Sequence, residues 1–136
     1  MTTREERKVL PVSSGEDVVR VRQATRELAV AAGFSLVDTT KMITAASEIA
    51  RNTLEHGGGG EVALEFVRRE GRDGVRLTFE DQGPGISDVT TALRDGFTSA
   101  NGLGLGLGGA KRLVNEFDIR SAPGQGTRVV LTRWKG

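Results

Sequence analysis

Apolar positions change period several times along the 136-residue chain, and each change marks an element. Val18, Val21, Thr25, Leu28 and Ala32 recur at three- and four-residue steps, which predicts a helix with one buried face, ended by Gly33. Ahead of it, Ser13-Ser14-Gly15-Glu16 reads as a capping box with Ser13 as N-cap. Val9-Leu10-Pro11-Val12 reads as an edge strand or a lead-in, because Pro11 cannot donate to a ladder. Met42, Ala46, Ile49, Thr53 and Leu54 predict a second helix, from Asp38 to the stop at Gly57. The period then drops to two. Val62, Leu64 and Phe66 share one face of a strand over 61–69, Val75, Leu77 and Phe79 repeat the pattern, and Gly71-Arg72-Asp73-Gly74 joins them as a hairpin turn. Val89, Ala92 and Leu93 predict a short helix, and Ala110 to Phe117 a longer amphipathic one. Ile119 to Ala122, a turn over Pro123 to Thr127, and Arg128 to Trp134 close the chain as a hairpin.

This order implies an α+β fold, a two-layer sandwich in which helices cover one face of a mixed β-sheet. Its length suits one domain over residues 1–136. The 19 basic and 18 acidic residues leave a net charge of +1 and are spread along the chain, and aromatic residues make up 4%, so neither an electrostatic footprint nor a stacking platform for nucleic acid stands out. With no cysteine there are no disulfides, thiolate metal sites or thiol nucleophiles. No apolar run approaches membrane-spanning length and the N-terminus has no signal-type core, so the expectation is a soluble, cytoplasmic protein without a membrane partner.

Candidate chemistry collects where the period is interrupted. Gly102-Leu103-Gly104-Leu105-Gly106-Leu107-Gly108-Gly109 opens the amphipathic helix, and such a loop lets backbone N–H groups approach a phosphate. It is no dinucleotide fingerprint, since Phe97 to Asn101 is not an apolar strand and no acid lies near position 124; the P-loop spacing fails too. Asp95-Gly96-Phe97-Thr98-Ser99-Ala100-Asn101, just before it, has lid-like composition. On the second helix Glu48, Asn52 and His56 recur every four residues, a stripe that spacing alone would leave as a solvated face with His56 at the helix end. At the end of the Val75–Phe79 strand, Glu80-Asp81-Gln82-Gly83-Pro84-Gly85-Ile86 sets an acid before two glycines that permit a sharp turn.

Taken in order, Glu48-Ile49-Ala50-Arg51-Asn52, Asp81-Gln82-Gly83-Pro84-Gly85, the Gly102–Gly109 loop and Gly124-Gln125-Gly126-Thr127 resemble the four motifs of the GHKL ATPase/kinase superfamily. Together with Asp95-Gly96-Phe97 and Lys111-Arg112-Leu113-Val114-Asn115-Glu116-Phe117, they are most similar to the RsbT-type switch kinases of bacterial stress signalling. The resemblance implies the Bergerat ATP-binding fold, ATP and Mg²⁺ as cofactors, and transfer of phosphate to serine or threonine of a STAS-domain antagonist or stressosome scaffold. A phosphatase-type regulator would be the partner of the released kinase. It further implies Glu48 as catalytic base and Asn52 as Mg²⁺ ligand. Asp81, Gly83, Gly85 and Thr127 would lie on the adenine side, and Gly102, Leu103, Gly104, Leu105 and Gly106 around the phosphates. The alternatives are an anti-sigma kinase that binds a sigma factor, or a non-catalytic ATP-gated binding module. The chain departs from the pattern at Leu107-Gly108-Gly109, where a proline is expected.

Overall fold

The computed structural model describes residues 7–93 and 106–136. In chain order the elements are β1 (Arg7–Val12), α1 (Gly15–Ala31), α2 (Leu36–Glu55), β2 (Gly60–Arg69), β3 (Arg72–Asp81), α3 (Val89–Ala92), α4 (Leu107–Arg112), β4 (Glu116–Ser121) and β5 (Thr127–Trp134). The strands form one sheet in the order β1-β2-β3-β5-β4. All four pairings are antiparallel, so the strand directions are more uniform than the mixed sheet expected. The reason lies in the connections: the α1–α2 pair returns the chain antiparallel to β1, and the last hairpin inserts β5 between β3 and the edge strand β4. Pro11 sits in β1 at the other edge, where a missing donor is tolerated.

The two layers meet along the predicted faces. Val62, Leu64, Val75, Leu77, Phe79, Val129 and Leu131 of the sheet pack against Val18 and Val21 of α1 and Met42, Ala46 and Ile49 of α2. Each fully buried Val, Leu, Ile, Phe or Met side chain among these contributes roughly 1.5–3 kcal/mol relative to exposure. Two helix starts lie earlier or later than expected. Ser14, not Ser13, caps α1: its Oγ accepts the Asp17 N–H at 3.2 Å, while the Asp17 carboxylate accepts from the Ser13 N–H and hydroxyl. Ser35 caps α2 by accepting the Asp38 N–H, which moves the start back to Leu36 and makes Asp38 a first-turn acid.

The hairpin turn is also tighter than expected. Arg69 pairs with Arg72, leaving only Glu70 (φ 51°) and Gly71 (φ 79°) between the strands, the two left-handed positions that match strand twist. The largest revision is at α4, which ends at Arg112 instead of Phe117. Phe117 belongs to β4 opposite Leu131, and the Asn115 N–H already bonds the Thr132 carbonyl. Arg133 locks this region: it donates to the Leu113 carbonyl just past α4 and to the Asp38 carboxylate, both at 2.7 Å. The C-terminus of α4 and the N-terminus of α2 are thereby tied to one β5 side chain.

Candidate functional site

The β3 strand delivers Asp81 to the end of the sheet on its helix-covered face, where only 5% of the residue is exposed. Its Oδ1 accepts the Gly83 N–H at 2.9 Å. Gly57, just past α2, backs the carboxyl group so closely that a β-carbon there would overlap it, and one on Gly83 would lie 2.6 Å from the Gly57 carbonyl. Glycine is needed here by contact, not conformation. At Gly85 it is needed for both: φ is +77° and the space for a β-carbon is filled by the Ala122 carbonyl.

The closing hairpin completes this end. Thr127 pairs with Asp81 across the sheet and is itself buried. Ser121 Oγ donates to the Gly126 carbonyl at 2.8 Å and accepts the Ile86 N–H at 2.8 Å; the Thr127 hydroxyl, 2.9 Å away, is then the donor in their contact. Burial pushes the Asp81 carboxyl above its ordinary range, and the Gly83 N–H, the charge of His56 and the Thr127 N–H offset this only in part. The result is a desolvated acceptor with no lysine or arginine bonded to it among the described residues. At this end of the sheet a cavity of about 340 Å³ is lined by Glu80, Arg120 and Arg128 of the uncovered face together with Asp81, Gln82 and Thr127.

Helix α2 brings the second set. Asn52 is 4% exposed, so the stripe is not the solvated face that spacing alone suggests. Glu48, one turn earlier, is half-exposed, with an ion pair to Arg51 at 3.5 Å. Gly106, the N-cap of α4 at φ +71°, touches it, since a β-carbon there would come within 2.9 Å of Glu48 Oε1. The end of the glycine loop and the candidate base are therefore neighbours. His56 is the C-cap of α2, as a helix-end residue should be, but its ring reaches the Gly85 carbonyl at 3.1 Å. Among the described residues no three His, Cys, Asp or Glu side chains converge on a metal position, so a divalent cation here would take most of its oxygens from phosphates and water. A single buried amide one turn from a carboxylate fits that demand.

The structure thus brings together Asp81, Gly83, Gly85 and Thr127 at one end, and Glu48, Asn52 and Gly106 on the adjoining face of α2. Gly102, Leu103, Gly104 and Leu105, with the lid-like 95–101 segment, lie outside the described residues. Sequence reasoning took Gly57 only as a helix stop and gave Ser121 no role. A run of four glycines at 57–60, more than a helix end requires, was the available signal for the first; Ser121 had none.

The profile of the histidine kinase-, DNA gyrase B- and HSP90-like ATPases matches residues 37–135, and the chain belongs to that family. Within it, the chain is a homologue of the serine/threonine-protein kinase RsbT of Bacillus subtilis (strain 168), at 42% identity over 87% of this chain and 89% of that one. It is 30% identical to the anti-sigma F factor of Thermoanaerobacter sp. (strain X514), over 68% of each chain. Two solved structures share the fold. The RsbU and RsbW domains of Rv1364c from Mycobacterium tuberculosis align at TM-score 0.61 and 24% identity, covering 94% of this chain and about a third (32%) of that one. The SiaB–SiaC complex from Pseudomonas aeruginosa aligns at TM-score 0.56 and 13% identity, over 93% and 89%. No helix among the described residues is long and apolar enough to cross a membrane.

Proposed function

We propose that this chain is a cytoplasmic switch kinase that transfers the γ-phosphoryl group of ATP to a serine or threonine of a STAS-domain antagonist or scaffold protein and, when released, engages a phosphatase-type regulator. The observation that carries the reading is Glu48 in contact with Gly106 and one helical turn from Asn52, because a module that only senses nucleotide needs no basic carboxylate there. Asp81 accepts a hydrogen bond from the adenine amino group, for which its desolvated carboxylate is suited, and repels the guanine keto group. Gly83 and Gly85 keep the turn close to the base, and Thr127 adds a contact beside Asp81. Asn52 would supply one oxygen to Mg²⁺, which would neutralise phosphate charge. Glu48 takes the proton of the attacking hydroxyl as its oxygen bonds to phosphorus; the bond from phosphorus to the bridging oxygen breaks and ADP leaves. Backbone N–H groups of the Gly102–Gly106 loop steady the phosphates.

Incubation with labelled ATP and purified STAS-domain proteins, followed by phosphosite mapping, tests this. One serine or threonine should be labelled, with loss of labelling in Glu48→Gln. Labelling that survives in Glu48→Gln at the native rate would reassign the base. A second reading, capture of a sigma factor, has its support in the 30% identity to an anti-sigma F factor, and predicts a stable complex with sigma factor in the presence of ATP.

A further inference from the structure

The Gly83–Ile86 turn is fastened on the sheet side by two hydrogen bonds of 2.8 Å, from the Ile86 N–H to Ser121 Oγ and from the Gly124 N–H to the Pro84 carbonyl. Toward the helices it is fastened by His56, whose Nε2 lies 3.1 Å from the Gly85 carbonyl, a contact across 29 residues of sequence. A carbonyl can only accept, so Nε2 carries the hydrogen. On the sheet side Gly85 approaches the Ala122 carbonyl so closely that a β-carbon would not fit. Toward α2 the turn is held by the packing of Gly83 on Gly57 and by the hydrogen bond of the imidazole to Gly85.

We infer that His56 is a positioning residue for nucleotide: it fixes the distance between the turn that meets the base and the helix that meets the phosphates. This rests on the ATP-kinase reading above. Eight residues separate Glu48 from His56, about 12 Å along the helix axis at ~1.5 Å per residue. One rigid element thus holds the candidate base and, two turns away, the clamp on the base-binding turn. Loss of the clamp frees Gly85 to shift against α2 while Asp81 stays registered in the sheet, so the turn no longer meets the base at a fixed distance from Asp81 and α2.

The experiment is calorimetric titration of Mg-ATP into wild type, His56→Ala, His56→Asn and His56→Gln, with the thermal midpoint of each protein. Ala and Asn should weaken binding about two- to tenfold, the effect of one neutral hydrogen bond. Gln, whose amide nitrogen extends about as far as Nε2, should restore most of the affinity; Asn is too short. Affinity in this series should follow the donor, not the thermal midpoint. Native affinity in His56→Ala would overturn the inference and leave the kinase reading intact. Affinity losses that track the midpoint, with no advantage of Gln over Asn, would overturn it as well. A wild-type protein that binds no Mg-ATP overturns the functional reading and this inference with it.

Discussion

Two carboxylates, Asp38 partly exposed and Asp81 buried, flank opposite ends of α2, and their surroundings differ in kind. Asp38, in the first turn, bonds the Arg133 guanidinium at 2.7 Å, and that hydrogen bond holds it below the usual carboxylate range. Asp81, beside Gly57 past the last turn, receives backbone N–H groups and is pushed above its usual range by burial. The first acid has its partner built in. The second is desolvated and has no lysine or arginine bonded to it among the described residues, which disfavours its charged form, and in the proposed reading a ligand donor offsets this. In the proposed reading, one end of the helix serves stability and the other serves binding.

The largest effect expected at the functional end is on chemistry. Glu48→Gln keeps shape and removes the basic oxygen, so phosphotransfer should fall by about a hundred- to ten-thousand-fold while Mg-ATP affinity stays near native. Single-turnover assays beside calorimetry would separate the two. A parallel loss of both would make Glu48 a binding group instead.

Asp81→Asn sharpens the contrast itself. Removing the charge should cost nucleotide affinity what a hydrogen bond to a charged group contributes, about 1.5–3 kcal/mol or roughly 10- to 150-fold, and erode the preference for ATP over GTP. Unfolding stability should hold or rise, because a desolvated charge is removed. Denaturant titration of the empty protein measures that. A clear loss of stability would place Asp81 with Asp38 among the structural acids.

How much of this was legible without coordinates follows from which contacts are local. The core faces of α1 and α2 could be read because periodicity records them, and the strand-end acid with Gly83 and Gly85 stood out because its constraint lies within a few residues. Boundaries failed where two patterns compete. Leu113, Val114 and Phe117 fit a helical step, yet Phe117 and Ile119 also alternate, and pairing with Leu131 and Val129 decides for strand. Ser13 and Ser14 both offer a cap, and only Ser14 has the geometry. The roles of Gly57 and His56 were hidden, since each depends on a segment 24 or more residues away, Asp81 and Gly85 respectively.

At the structural end, Asp38→Asn should cost stability. The side chains of Asp38 and Arg133 are 17% and 14% exposed, so the loss should fall between the ~1 kcal/mol of a surface pair and the ~3–5 kcal/mol of breaking a fully buried one, about 2 kcal/mol. Arg133 also holds the Leu113 carbonyl, so the damage should spread to α4. Hydrogen exchange at residues 107–113 reports it. Mg-ATP binding should suffer less than in Asp81→Asn; a greater loss would mean that the two ends are not separable.

The smallest effect, and the one that sets the two ends against each other directly, is their dependence on pH. The folded-state pKa of Asp38 is lowered, and so is that of Glu116, mainly by its bond from the Trp134 indole. Their stabilisation is present in full above the unfolded carboxylate pKa and is lost as pH falls through the folded one. Asp81 has the opposite sign. Its folded pKa is raised, so the folded state holds the proton more tightly than the unfolded state does, and this contribution fades as pH rises from the unfolded value through the folded one. Adenine recognition needs the ionised form, because a neutral carboxyl gives up part of its acceptor capacity. Over the window just above the ordinary carboxylate range, ATP affinity should therefore rise with pH while the stability contributed by Asp81 declines. Paired measurements of ATP affinity and denaturant midpoint across that window, in wild type and Asp81→Asn, isolate the effect, since titration of the nucleotide's own phosphates is common to both proteins. The asparagine variant should lose the Asp81-dependent part of both trends and keep the acid-side fall set by Asp38 and Glu116. An unchanged pH dependence of binding in Asp81→Asn would mean that the titrating group at the site is not Asp81.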